Sequence, residues 1–395
     1  MKILQKLLTS LHFHSALLLK SLAIFSVVSL VSLGLSSCAK LVDPFEEYEE
    51  IFQIGPEWGR KPVTEETLEK MPPAFQRQAK ATGKIALQRS KAGATAFYIG
   101  EFRGKHLMAT NHHVTQVFEK CFLFGYLDPP ELPCTVEFPL FPDKTPIKRK
   151  SKDSDASKDE KDKEEENLTY PNVAKVKTLF GEWSEIDFAI FEIYIENDAL
   201  KSYLRDHAIT LQPIRDIKRG TPLQTMGFGF HQNEDRVLKY ASDSDCKVFS
   251  KSNDYRSIEL STEMVEYSVW SFVHGCDSSS GDSGSAILDA ETGDFLGILT
   301  AGALPKPKRI MDRLFIDHLY NTSDERMWDM LSFATPVRRI YSHLKKVSND
   351  TKVDAETKLS SISDEELFKK EFQEIRIDSA NILQQWLEAE RQSTP

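Results

Sequence analysis

Residues 274–288 read His-Gly-Cys-Asp-Ser-Ser-Ser-Gly-Asp-Ser-Gly-Ser-Ala-Ile-Leu, a small polar loop that runs straight into a short apolar strand. Gly281 lets the backbone turn so that its N–H and that of Ser283 point at one spot. Two such donors make an oxyanion hole, which carries a large share of acyl-transfer catalysis. A serine in that position needs a base, and one is offered upstream by Ala109-Thr110-Asn111-His112-His113-Val114. The base needs an orienting acid. Ile186-Asp187-Phe188-Ala189-Ile190 sets an Asp at the mouth of an apolar strand, where a buried carboxylate can fix the imidazole tautomer.

The surrounding chain reads as short strands. Ala94–Ile99, His106–Thr110 and Phe188–Ile195 are β-branched or aromatic runs of strand length. Thr225–Phe230, Lys247–Phe249, Ala286–Leu288 and Phe295–Thr300 continue the series. Many short strands without amphipathic helices between them predict an all-β sandwich or barrel. Between Lys144 and Glu166 the chain is almost wholly polar and charged, which predicts a solvated surface insertion. Beyond the last of these strands, Val337, Ile340, Tyr341, Leu344 and Val347 fall at helical spacing.

The order His, Asp, Ser, with T-N-x-H-V, D-[LF]-A-[LI] and G-[DNS]-S-G patterns, resembles the chymotrypsin-fold serine proteases. The likeness is greatest to their bacterial trypsin-like branch, which includes the glutamyl endopeptidases, and it covers about residues 80–347. It implies an all-β fold: a double six-stranded antiparallel β-barrel with the site in the cleft between the barrels and C-terminal helices closing it. Position by position, it makes His113 the general base, Asp187 its orienting acid and Ser283 the nucleophile. Gly281 and Ser283 supply the oxyanion N–H groups. His112 falls at the variable position of the motif, as a surface or supporting residue. The implied activity is endopeptidase cleavage of a peptide or protein substrate without cofactor or metal. A catalytically silent binding or scaffold protein on the same fold is the alternative.

The same resemblance places Asp277, six residues before Ser283, at the base of the specificity pocket, with Thr300 and Gly302 on its wall. A carboxylate there would favour Lys or Arg at P1, because a buried lone charge needs its opposite. Glutamyl endopeptidases carry a His on this wall, and the matching residue here is Leu299. The competing reading is that Asp277 turns away to cap a loop. No Ile-Val-Gly-Gly start follows a basic residue, so no new N-terminus is expected to pair with Asp282.

The 395-residue chain carries 40% apolar and 28% charged residues, the balance of a globular protein with a sizeable core. Its net charge of −10 disfavours nucleic acid as a partner. Two acidic flanks, Asp43–Lys70 and Val353 to the C-terminus, together hold more than that whole charge. Lys2, Lys6 and Lys20 precede an uncharged run, Ser21–Ser37, that ends at Cys38, as a secretory signal does. Leu35-Ser36-Ser37-Cys38 resembles the bacterial lipobox, so residues 1–37 are read as a signal peptide and Cys38 as the lipidated residue. An uncleaved signal anchor is the alternative. Ala39 in second place suggests the outer membrane, by resemblance to lipoprotein sorting in double-membraned bacteria. Residues 38–80 then form an acidic spacer, 81–347 the catalytic domain and 348–395 an amphipathic helical extension opened by the capping box Ser363-Asp364-Glu365-Glu366. That extension is the best candidate for a protein-partner surface.

Four cysteines remain, Cys121, Cys134, Cys246 and Cys276, with no C-x-x-C pair to suggest zinc. An even count in an exported chain predicts two disulfides from three possible connectivities. Pairing sequence neighbours gives Cys121–Cys134 and Cys246–Cys276.

Overall fold

The apolar runs become strands because each is buried on a sheet face. The structure, a computed structural model, describes residues 48–49 and 53–343, apart from 88–92, 103, 119–120, 122–133, 146, 149–167, 212–215, 230–236, 242, 262–265 and 303–305. The signal segment with Cys38, most of the charged insertion and the 348–395 extension lie outside the described residues.

Strands β1 (Arg60–Pro62), β2 (Thr82–Leu87), β3 (Gly93–Phe102), β4 (Lys105–Thr110), β5 (Cys134–Glu137), β6 (Val173–Trp183) and β7 (Phe188–Tyr194) come first. Six of them close a barrel in the order β7-β4-β3-β2-β5-β6, all antiparallel. Phe188 to Ile193 are all buried, so β7 is buried on both faces rather than alternating, with Glu192 the one charged residue in the run, paired with Lys105 and Lys177. Each large side chain so removed from water contributes about 1.5–3 kcal/mol before entropy is counted.

The second half holds β8 (Leu223–Gly227), β9 (Lys239–Ala241), β10 (Arg256–Ser261), β11 (Glu266–His274), β12 (Ala286–Asp289), β13 (Phe295–Gly302) and β14 (Ser332–Pro336). With β1 they form an eight-stranded sheet in the order β10-β11-β14-β13-β12-β8-β9-β1. Single antiparallel bridges, Pro222 to Lys247 and Val248 to His274, join the start of β8 to the end of β11 through residues 247–248. That circuit closes a second barrel, with Val248, Phe272, Ile287, Leu296 and Leu299 in its core. The expected Lys247–Phe249 strand is therefore present as two bridges only.

Helices α1 (Glu65–Lys70), α2 (Pro73–Ala81), α3 (His112–Val117), α4 (Asp198–Arg205), α5 (Arg313–Thr322) and α6 (Met327–Met330) decorate the barrels. A further helix covers 337–343, directly after β14, as the apolar spacing predicts. Asp312 caps α5 by accepting from the N–H groups of Leu314 and Phe315.

The expected spacer needs correcting. Residues 53–80 are part of the packed unit rather than a linker. β1 extends the second sheet by pairing with β9 (Arg60 opposite Ala241). α2 buries Phe75, Gln78, Ala79 and Ala81, and the Gln78 amide donates to the Ala286 carbonyl at 2.8 Å. Acid-rich composition hid this, because the ordering contacts come from distant parts of the chain. At the charged insertion, Ile147–Lys148 near its start pairs with Leu168–Thr169 just beyond its end as a small antiparallel ribbon.

Cys121–Cys134 and Cys246–Cys276 are both disulfide-bonded, the pairing of sequence neighbours.

Candidate active site

β4 and β7 bring the base and the acid together. Their register sets Ala189 opposite Thr110, so the residues just past the end of β4 meet those just before β7. The chain leaves β4 at Asn111 and turns into the short helix α3, whose second residue is His113. Asp187 follows a 3-10 turn at Ser184–Ile186 and sits in the left-handed region at φ 41°, ψ 50°. Asp tolerates that conformation better than most residues.

Asp187 is fully buried and receives three donors. The His113 backbone N–H donates to Oδ1 at 2.9 Å. The His113 ring Nδ1 lies 2.9 Å from Oδ2 and 3.1 Å from Oδ1. An ionised carboxylate only accepts, so Nδ1 carries the proton and Nε2 becomes the basic nitrogen. The Asn111 side-chain amide donates to the Asp187 carbonyl at 2.9 Å, which fixes the turn itself. Here the Asn of the T-N-x-H-V pattern has its physical role.

His112 points elsewhere. Its Nδ1 lies 3.0 Å from Glu182 Oε2, which also accepts from the Thr115 hydroxyl at 2.7 Å and from the Gln116 amide at 3.3 Å. It braces α3 against β6 and does not touch Asp187.

Ser283 lies in the loop before β12. Gly281 has φ +100° and Gly284 φ +89°, conformations that L side chains rarely adopt. A Cβ on Gly284 would also fall 2.0 Å from the Thr95 carbonyl oxygen. Among the described residues the Gly281 and Ser283 N–H groups have no protein acceptor, while the intervening Asp282 N–H donates to Ser279. The Ser283 hydroxyl donates to the Thr300 carbonyl at 3.4 Å, a long contact that a reacting serine can leave.

Thr95, which the motif reading passed over, ties the two halves. Its N–H donates to the Ser283 carbonyl at 3.1 Å, and its hydroxyl donates to the Gly281 carbonyl at 2.8 Å. The same hydroxyl accepts from the Phe228 N–H at 3.0 Å, and the Thr95 carbonyl accepts from the Thr110 hydroxyl at 2.8 Å. Thr110 stands three residues before His113. The signal was present in the sequence as a polar residue inside the apolar run Ala94–Ile99.

Asp277 is not the unpaired carboxylate at a pocket base that the resemblance implies. Only 1% exposed, it accepts from the Ile54 N–H through Oδ1 and the Gly59 N–H through Oδ2, both at 2.6 Å. Burial, with the nearby Asp243 charge as a lesser cause, pushes its carboxyl up to about 8 against the two backbone hydrogen bonds and Arg60. This is the loop-capping role. Thr300 is buried with its hydroxyl on Thr335 Oγ1 at 3.1 Å, so it presents its backbone rather than its side chain. Gly302 ends β13 opposite Ser332.

No protein-family model matches the sequence, and no curated protein does. Among solved structures the chain is similar to the active form of the Rv3671c protease from M. tuberculosis, at 14% identity and TM-score 0.36, over 81% of this chain and 97% of that one. It is similar to Deg5 at 15% identity and TM-score 0.36, over 71% and 95% respectively. A serine endoprotease from Yersinia pestis gives 14% identity and TM-score 0.34, over 72% and 67%. At these TM-scores the likenesses carry no reaction chemistry, which rests on the geometry of the site.

Proposed function

We propose that the protein is a serine endopeptidase acting through an acyl-enzyme on Ser283. One observation carries this reading: Thr95 binds both the serine loop, whose Gly281 and Ser283 N–H groups are uncommitted among the described residues, and Thr110, three residues before the His113 of a buried imidazole–carboxylate couple. Ser283 Oγ attacks the scissile carbonyl as His113 Nε2 takes its proton. Asp187 holds the Nδ1 proton and stabilises the imidazolium that forms. The carbonyl oxygen, now negative, is met by the Gly281 and Ser283 N–H groups. His113 then protonates the leaving amine, and water activated by the same ring releases the acyl group.

Asp277 does not support the Lys or Arg P1 preference expected from the sequence, because both its oxygens already bind backbone N–H groups and it is shut off from solvent. Two disulfides suit an oxidising compartment, which supports export as part of the reading.

The test is digestion of an unfolded protein substrate by the full chain, with new N-termini read by mass spectrometry. Cleavage by the wild type and none by Ser283→Ala is expected. No cleavage by either, with the fold intact, would favour the catalytically silent alternative.

A further inference from the structure

The residue between the two oxyanion donors is Asp282, and its side chain is built into the protein with unusual care. It is fully buried. Oδ1 accepts from the Gly229 N–H at 2.8 Å, and Oδ2 accepts from the Ser279 N–H at 2.9 Å and the Ser279 hydroxyl at 3.2 Å. Glycines make the room. A Cβ on Gly229 would fall 2.0 Å from Oδ2, and one on Gly227 would fall 2.6 Å from Oδ1.

A buried carboxylate held this way needs a counter-charge. That charge is Arg60, whose Nη2 lies 2.7 Å from Asp282 Oδ1 with neither side chain exposed. Arg60 belongs to β1, in the segment whose composition reads as spacer. Its Nη groups also donate to carbonyls around the same loop, Nη2 to Lys239 (3.1 Å) and Gly227 (3.4 Å) and Nη1 to Asp277 (3.3 Å), while its buried Nε has no hydrogen-bond partner among the described residues. The Ile54 and Gly59 N–H groups hold the Asp277 side chain at the far end of the loop. The 54–60 segment therefore grips the 277–283 loop at both ends.

Resting on the reading of Ser283 as nucleophile, we propose that Arg60 is a positioning residue that holds the Gly281 and Ser283 N–H groups in their oxyanion-binding geometry through Asp282. The Asp282 side chain sets the tilt of the peptide that carries the Ser283 N–H. If Asp282 loses its cation, the carboxylate must find water, and the loop must turn to let it. The active site is then complete only when the 54–60 segment is seated, and no freshly cut N-terminus is required.

The experiment uses the full chain with Arg60→Gln and Arg60→Lys, read by peptide-substrate kinetics and by amide hydrogen exchange. For Arg60→Gln the expected result is a kcat about 100-fold lower with KM little changed, the size of losing one oxyanion donor. Exchange should speed by at least about tenfold in peptides spanning 277–286 and stay unchanged across 105–117. Arg60→Lys, which keeps the charge, should recover part of both, and it serves as the test should Arg60→Gln not fold. Unchanged exchange and unchanged kcat in the variants would overturn the proposal. Faster exchange throughout the protein would also overturn it, reducing Arg60 to general stability. Faster exchange confined to 277–286 with no turnover even in the wild type would uphold the clamp and reject the protease reading instead.

Discussion

The backbone N–H of Thr95 donates to the carbonyl of Ser283 at 3.1 Å, so a strand of the first barrel directly holds the nucleophile loop of the second. Because the Thr95 hydroxyl also spans Gly281 and Phe228, Thr95→Val removes two hydrogen bonds and strands the buried Phe228 N–H. We expect a loss of roughly 1–3 kcal/mol in stability, measured by urea unfolding. Among folded molecules kcat should fall more than KM rises, because the loop it releases binds the transition state rather than the ground state.

His113 and His112 are adjacent in sequence and opposite in role. His113→Ala should lower kcat by about 10⁴ or more, as in other triads. His112→Ala loses only the Glu182 contact, and its Thr115 and Gln116 partners remain. Its cost should stay near 1 kcal/mol in stability with most of kcat retained. Steady-state kinetics on both folded variants would check this, and the reverse ranking would exchange their roles.

Asp277 makes stability depend on pH. Its folded pKa, about 8, lies above the ordinary carboxylate value of 3.8, so between those values the folded protein keeps a proton that the unfolded chain has lost. The stability it contributes is complete below about pH 4 and is lost as pH rises to about 8, at no more than ~1.4 kcal/mol per pH unit. Arg60 opposes the shift and Asp243 adds to it. Thermal unfolding from pH 5 to pH 9 should show a falling Tm in the wild type and a flatter curve in Asp277→Asn.

The ribbon Ile147–Lys148 with Leu168–Thr169 sets Lys148 opposite Leu168, an arrangement that a two-residue turn can close. Replacing 149–167 by Asn-Gly should therefore leave stability within about 1 kcal/mol, because loop length costs little. Loss of cooperative unfolding in this deletion would show that the insertion is structural.

The residues proposed as base, acid and nucleophile are legible in the sequence because their signals are local. Each of them sits at a strand end with a short motif around it, and β4 and β7 read plainly as apolar runs. β6 carried a signal too, with Ala174 and Val176 buried between partly exposed Lys175 and exposed Lys177, but it follows the charged insertion and was masked by it. Arg60 was not legible at all. An arginine among acids reads as solvated surface, and only the fold shows that its partner is a buried carboxylate far along the chain. Asp277 failed as a pocket floor for the same reason, since Ile54 and Gly59 act through backbone N–H groups that no side chain announces. The expected barrels were correct in number, yet the second is closed by single bridges rather than by a full strand.

The central claim is that Ser283 is a nucleophile activated by His113, and covalent labelling with a fluorophosphonate probe tests it most directly. The full-length protein should gain one probe mass on the peptide carrying Ser283, more slowly in His113→Ala and not at all in Ser283→Ala. Equal labelling of wild type and Ser283→Ala, or none of the folded wild type under any condition, would contradict the account.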